Sequence, residues 1–240
     1  MTKEEQLKER WKQVEARIGA ACLRSGRRPE DIHLIAVTKY VSAKMTELVL
    51  DQGLEHIGEN RWQDAKEKWN QLHHRGIWHF IGHLQSNKAK DVVGKFDYIH
   101  SLDRFSLAEA IGKKAEQEGL RVKCFLQVNV SGEESKYGLE PDKLFDFAKQ
   151  VRTIPNIEVV GLMTMAPFSE DAEEARPVFR GLRELRDELN RQAVFDTEIR
   201  HLSMGMSNDF EIAIEEGATW LRLGSILVGK DEGGESTWES

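Results

Sequence analysis

The sequence predicts an α/β fold: a single-domain (β/α)8 barrel of the TIM type, preceded by an extra N-terminal helix. Three observations predict it. Short apolar runs recur eight times along the chain, and the segments between them switch to the helical period. Strands separated by helices imply right-handed crossovers and a parallel sheet, and eight such units in 240 residues suggest closure into a barrel. An open doubly wound sheet is the alternative. Against it, no G-x-G-x-x-G follows the first apolar run and no Walker-type loop occurs in the sequence.

Taken in order, the chain opens on a charged amphipathic helix, MTKEEQLKERWKQVEARIGAAC. The first four strands are read at IHLIAVT (32–38), LEHIG (54–58), IWHFIG (77–82) and FDYIHS (96–101). Asp103 then suits the N-cap of a helix whose positions Ala108, Ile111, Gly112 and Ala115 fall at i, i+3, i+4 and i+7, with Gly119 as its stop. VKCFLQVNV (122–130) is the fifth strand, and Leu144, Phe147, Ala148 and Val151 repeat the helical spacing after it. IEVVGLM (157–163) is the sixth. The stripe of Ala175, Val178, Phe179, Leu182, Leu185 and Leu189 that follows is interrupted by Pro177, so its helix either starts close to that proline or kinks there. IRHLS (199–203) and WLRLGS (220–225) complete the eight. No Pro/Gly-rich linker divides the chain, which places one barrel over residues 1–230 and a disordered polar tail over 231–240.

Composition narrows the function classes. Hydrophobic residues make up 40% and charged residues 31%, a soluble globular profile, and no apolar stretch approaches the length that spans a bilayer. The net charge of -7 argues against a nucleic-acid partner, because phosphate binding needs a basic field. The N-terminus is too charged for a secretory signal and holds acidic residues that a transit peptide avoids. Only Cys22 and Cys124 are present, without metal spacing, which fits a reducing compartment and a cytoplasmic location.

The chemistry of such a barrel sits at the C-terminal ends of its strands, with phosphate commonly bound after strands seven and eight. Both loops are unusual here. After the seventh strand, SMGMSNDFE brings Ser203, Gly205 and Ser207 before a helix start, where Asn208 and Glu211 have capping-box spacing and backbone N–H groups would face the loop. After the eighth, Arg222, Gly224 and Ser225 reach the same rim. Lys39 stands where the first apolar run ends, and strand one neighbours strand eight in a closed barrel. A lysine there either neutralises a phosphate or bonds covalently to an aldehyde. Pyridoxal 5'-phosphate (PLP), a form of vitamin B6, unites the two groups.

The sequence resembles the pyridoxal phosphate homeostasis proteins, whose barrel is similar to the N-terminal domain of alanine racemase. The resemblance is carried by AVTK around Lys39, IGEN ending at Asn60, WHFIGHLQSNKAK from Trp78, VNVSGEESKYG from Val128, GLMTM from Gly161, HLSMGMSNDF from His201 and RLGSILVG from Arg222, and it runs from the opening helix to Gly229. Tyr40, Arg61, Trp62 and Leu227 depart from the more usual residues without replacing an expected cofactor contact.

The resemblance implies that Lys39 holds PLP as an internal aldimine, that Ser203, Gly205, Met206, Ser207, Gly224 and Ser225 surround the phosphate, and that Asn60 lines the pocket near the ring. Arg222 is expected beside the ring nitrogen, with a phosphate contact as the other possibility; an arginine at the nitrogen would leave it unprotonated and the ring a weaker electron sink. Lys136 is either a second, transient amine or a solvated side chain. His79 and His83 have an H-x3-H interval but no evident third ligand, and structural histidines are the expectation. The implied function is a carrier rather than an enzyme: a monomer that holds PLP, limits the free aldehyde and delivers it to PLP-dependent apo-enzymes. A PLP-dependent amino acid racemase is the alternative, which needs a second acid/base group opposite the lysine.

Overall fold

The computed structural model describes residues 1–133 and 136–229, so the tail expected over 231–240 lies outside the described residues. The opening helix α1 (Lys3–Ser25) begins on a capping box. The Glu5 N–H donates to Thr2 Oγ1 at 3.1 Å and the Thr2 N–H donates to Glu5 Oε2 at 2.7 Å. Its buried positions Leu7, Val14, Ile18 and Ala21 form one stripe that seals against the last helices of the barrel.

Strands and helices then alternate. β1 (His33–Val37), β2 (His56–Glu59), β3 (Ile77–Phe80) and β4 (Tyr98–Leu102) are joined by α2 (Ala43–Asp51), α3 (Trp62–Leu72) and α4 (Ala89–Val92). After α5 (Phe105–Glu118) come β5 (Val122–Gln127), α6 (Leu144–Val151), β6 (Ile157–Met163), α7 (Arg176–Arg191), β7 (His201–Ser203), α8 (Phe210–Glu215), β8 (Trp220–Leu223) and α9 (Ser225–Val228). The eight strands close in chain order, and β1 pairs in parallel with both β2 and β8. This is the (β/α)8 barrel the sequence predicts. Register on the closing seam sets Ile35 beside Arg222 and Ala36 beside Leu223.

Most strands are shorter than the apolar runs that announced them. The run expected over 77–82 leaves regular pairing at Phe80, although the Ile81 N–H still donates to Glu59 O at 2.9 Å, so the ladder fades into a rim loop. Two helix starts also differ from expectation. Asp103 does not cap α5; the N-cap is Arg104, and the Asp103 carboxylate accepts instead from Arg104 Nη1 at 2.6 Å, a charge-assisted bond stronger than one to a neutral N–H. Nor do Asn208 and Glu211 form a capping box, because Glu211 pairs with Arg17 of α1 at 2.9 Å. Gly119 does end α5 in the left-handed region, at φ 66°. Pro177 falls in the first turn of α7, where its missing N–H would have had no helical partner, so the helix starts near it.

The main apolar core lies between strands and helices, built from buried residues such as Val49, Ile57, Leu107, Ile111, Leu162 and Phe179. The barrel interior is different. Where branched aliphatics usually fill such barrels, a small cluster of Ile35, Phe125, Met163 and Trp220 shares the space with histidines. The rings of His79 and Trp220 lie 5.0 Å apart, and His100 stacks on Phe125 at 4.2 Å. Among the described residues no helix is long and apolar enough to cross a membrane.

Candidate functional site

At the C-terminal end of β1 the Thr38 N–H donates to Gly58 O at 3.0 Å, and the Val41 N–H closes a tight turn onto Thr38 O at 3.0 Å. Lys39 sits in that turn, one residue past the ladder. Its ammonium lies 4.7 Å from the centre of the Tyr40 ring. The turn is held from beneath by a buried polar group. Thr38 Oγ1 donates to Glu59 Oε1 at 2.6 Å, and Lys68 Nζ lies 2.6 Å from the same oxygen while donating to Thr38 O at 2.6 Å. Glu59 Oε1 thus faces two donors, while its Oε2 is buried with no hydrogen-bond partner among the described residues. Burial pushes the Glu59 carboxyl up, and the Lys68 charge offsets part of that. Because Thr38 precedes Lys39 and Glu59 precedes Asn60, this group fixes the backbone at two expected site positions.

The loop after β7 is built around Asp209. Its carboxylate accepts from the Met206 N–H at 2.7 Å, while the Asp209 and Phe210 N–H groups donate to Met206 O at 3.2 and 3.0 Å. The Ser207 and Asn208 N–H groups have no acceptor among the described residues. After β8, Gly224 adopts φ -108° and ψ -100°, and its carbonyl accepts from Leu227 and Val228. The Gly224 N–H likewise has no acceptor among the described residues. With α8 of six residues and α9 of four, these loop N–H groups, rather than a long helix dipole, are the donors available to an anion here.

Arg222 rises from β8 between the two loops. It is buried, with Nη1 donating to Ser203 Oγ at 2.7 Å and Nη2 to Thr164 O at 2.9 Å. Burial lowers its guanidinium to about 10, with Asp209 pulling the other way, so it stays charged at neutral pH. Burial in turn pushes the Asp209 carboxyl up, against the Met206 N–H and the Arg222 charge.

These pieces share a cavity of about 480 Å³ at the C-terminal mouth of the barrel, within the range of small-molecule sites. Lys39, Asn60, Met206, Ser207, Arg222, Gly224 and Ser225 line it. Ser203 and Gly205 do not. Ser203 lies below, fully buried, bonded to Arg222 and to His100 Nδ1 at 2.9 Å. Gly205 has φ +94°, and a Cβ there would lie 2.7 Å from Ala213 Cβ and 3.1 Å from Phe210 Cα, so it serves close packing beneath the loop. Lys136 is outside the wall and pairs with Glu133 at 2.7 Å. His79 and His83 face different places: His79 bonds other histidines inside the barrel, whereas His83 stacks on Tyr137 at 3.9 Å by the cavity.

Sequence reasoning missed Glu59, Lys68, Thr164 and Asp209. Lys68 left a signal, since it shares the spacing i, i+3, i+7 with buried Ala65 and Leu72 on α3. Thr164 acts through its backbone carbonyl, which no residue type announces.

The family model of the alanine racemase N-terminal domain matches residues 7–232 of this chain, whose closed parallel barrel carries a lysine just past β1. Alanine racemase of Clostridium difficile has the same fold, with a TM-score of 0.76 at 13% identity over 98% of this chain and 59% of that one. Within that class the chain belongs to the pyridoxal phosphate homeostasis protein family. It is 45% identical over 223 residues to the pyridoxal phosphate homeostasis protein of Aquifex aeolicus, covering 92% of this chain and 97% of that protein. PipY of Synechococcus elongatus, solved with PLP bound, is 37% identical with a TM-score of 0.79, covering 90% of this chain and 100% of that one.

Proposed function

We propose that this chain holds PLP, with Lys39 Nζ bonded covalently to the aldehyde carbon, and that it stores and hands on the cofactor instead of turning over amino acids. The observation that carries the reading is the convergence on one cavity of the Lys39 amine, the loop N–H groups after β7 and β8, and the buried Arg222. The residues present fit the group. Ser207, Asn208, Gly224 and Ser225 offer backbone and hydroxyl donors for a phosphate, Asn60 would line the pocket near the ring, and Arg222 would meet the ring nitrogen, with a phosphate contact as the other possibility. When bound, PLP supplies an aldehyde open to amines and an electron-withdrawing ring. Arg222 donates and cannot accept, so at the ring nitrogen it would leave that nitrogen unprotonated and weaken the withdrawal. This favours a carrier over a racemase. Apo-enzymes are the proposed recipients, and a one-barrel monomer over residues 1–230 working in the cytoplasm is the proposed form. Two free thiols, Cys22 and Cys124, are consistent with that compartment.

The test is borohydride reduction of the purified protein followed by peptide mapping. The adduct belongs on Lys39; an adduct found only on Lys136 overturns the assignment. Mixing the unreduced protein with a PLP-requiring apo-enzyme should restore activity, while assays of amino acid inversion stay at background. Rapid multiple-turnover inversion abolished by Lys39→Ala would establish the racemase instead.

A further inference from the structure

Below Arg222 a line of polar side chains runs down through the barrel. Arg222 Nη1 meets Ser203 Oγ at 2.7 Å, Ser203 Oγ meets His100 Nδ1 at 2.9 Å, His100 Nε2 meets His79 Nδ1 at 2.9 Å, and His79 Nε2 meets His56 Nδ1 at 3.0 Å. Ser203, His79 and His100 are fully buried, and only His56 is partly open. The proposed function uses none of the three histidines.

Arg222 sets the direction of the line because it can only donate. Ser203 Oγ therefore accepts from it, and the hydroxyl proton needs an acceptor. Among the described residues the one in reach is His100 Nδ1. His100 must then carry its proton on Nε2 and give it to His79 Nδ1, and His79 must do the same toward His56. In the opposite sense His100 Nδ1–H would donate to Ser203, stranding a fully buried hydroxyl proton, which is the costlier arrangement. An imidazolium fits no better, since it donates from both nitrogens and again drives a proton toward Ser203. Burial first holds both His79 and His100 well below the usual imidazole range, with the neighbouring histidines second for His79 and the Arg222 charge second for His100. The line does not serve as a proton relay, because its upper end is an arginine that does not give up its proton.

We infer that Ser203, His100, His79 and His56 form a one-directional hydrogen-bonded brace anchored on Arg222. The guanidinium fixes the imidazoles as neutral Nε2–H tautomers, and the brace in return fixes the guanidinium plane. Two of the five Arg222 N–H groups are engaged by Ser203 and Thr164, leaving the others for the cavity. These are positioning residues, and their bearing on the cofactor rests on the reading of Arg222 as the neighbour of the ring nitrogen.

The test is long-range proton–nitrogen correlation NMR on the full chain with nitrogen-15 histidine, first without PLP. His79 and His100 should each show one tautomer, protonated at Nε2 and bare at Nδ1, unchanged across about pH 5 to 8, where an ordinary imidazole titrates. Protonation at Nδ1 of either ring, or titration of either ring in that window, overturns the inference. The wild-type measurement needs no variant to fold. In Ser203→Ala the donor to His100 Nδ1 is gone, and the single tautomer should be lost at His100 and then at His79; Ser203→Thr should restore it. Unchanged resonances in Ser203→Ala overturn the anchoring. With PLP added, the visible absorption maximum should shift in Ser203→Ala and return in Ser203→Thr. If borohydride mapping instead shows that PLP does not bind at Lys39, the function reading fails while the tautomer result still decides the brace.

Discussion

Replacing Lys68 by methionine removes one ammonium from a dry site while keeping most of its packing stem. In the native protein Lys68 Nζ lies 2.6 Å from Glu59 Oε1 and donates to Thr38 O at 2.6 Å, and Glu59 is fully buried. Without Lys68 the Glu59 charge has no counterion, and removing one partner of a buried pair costs about 3–5 kcal/mol. The escape route is for Glu59 to take up a proton. Holding a carboxyl of ordinary value 4.5 protonated costs about 1.4 kcal/mol per pH unit, or about 3.4 kcal/mol at pH 7. Losing the bond to Thr38 O adds about 1 kcal/mol. The two routes agree near 4 kcal/mol, a large part of the roughly 5–15 kcal/mol that stabilises a typical domain.

The sign with pH is specific. Burial already raises Glu59 in wild type, and loss of Lys68 raises it further, so above the wild-type value the folded variant keeps a proton that wild type releases and its deficit grows as pH rises toward 7. Urea unfolding of the cofactor-free proteins at about pH 5 and 7, followed by tryptophan fluorescence, measures the gap at both values. Adding Glu59→Gln should recover much of the loss and flatten its pH dependence. PLP retention should also fall in Lys68→Met, because Thr38 leads into the Lys39 turn. A gap below about 1 kcal/mol at pH 7, or one that does not change with pH, would refute the reasoning.

Other outcomes follow from the same geometry. Gly205→Ala should destabilise the fold by about 1–3 kcal/mol, because its Cβ meets Ala213 and Phe210 at φ +94°, whereas Gly224→Ala, with Val37 Cβ at 3.7 Å, should leave stability nearly unchanged and weaken PLP retention; equal stability losses in urea unfolding would contradict this. Lys39→Ala should alter cofactor-free stability by less than about 0.5 kcal/mol while abolishing the borohydride adduct. Stability should also fall on acidification. Burial lowers His33, His56, His79, His100 and His201, the last to about 4, so below the ordinary 6.5 the unfolded chain takes up protons that the folded chain refuses. Denaturation midpoints that stay flat from pH 7 to 5 would show that these rings titrate normally.

The barrel was legible because its strands are buried on both faces and its helices on one, which writes two different periods into the sequence. Most of the rim was legible for another reason: glycine and serine beside free N–H groups have few purposes at strand ends. The supports beneath the rim were not. In IWHF and YIHS the histidines look like interruptions of apolar runs, and a parallel strand carries no alternation to say which side is the lumen. Ser203 illustrates the difference: the resemblance implies a phosphate contact for it, but as the last residue of β7 its side chain points into the barrel toward His100 and Arg222. Lys68 and Glu59 became meaningful only as a pair, since they lie on different elements and neither signals its partner.

A buried guanidinium explains why this interior is polar at all. Arg222 lies in register with apolar Ile35 on the closing seam, and a lone charge there would be prohibitively costly without acceptors. Thr164 O supplies one acceptor with no side-chain requirement, and Ser203 supplies the other only if its own proton is accepted in turn. That requirement passes from His100 to His79 to His56, and ends where the ring is open enough for water to take part. The histidines are thus the continuation of one arginine's hydrogen-bonding demand. An aliphatic replacement of His100 would improve packing hydrophobicity yet leave the Ser203 proton stranded, so the cost would appear at the arginine above it.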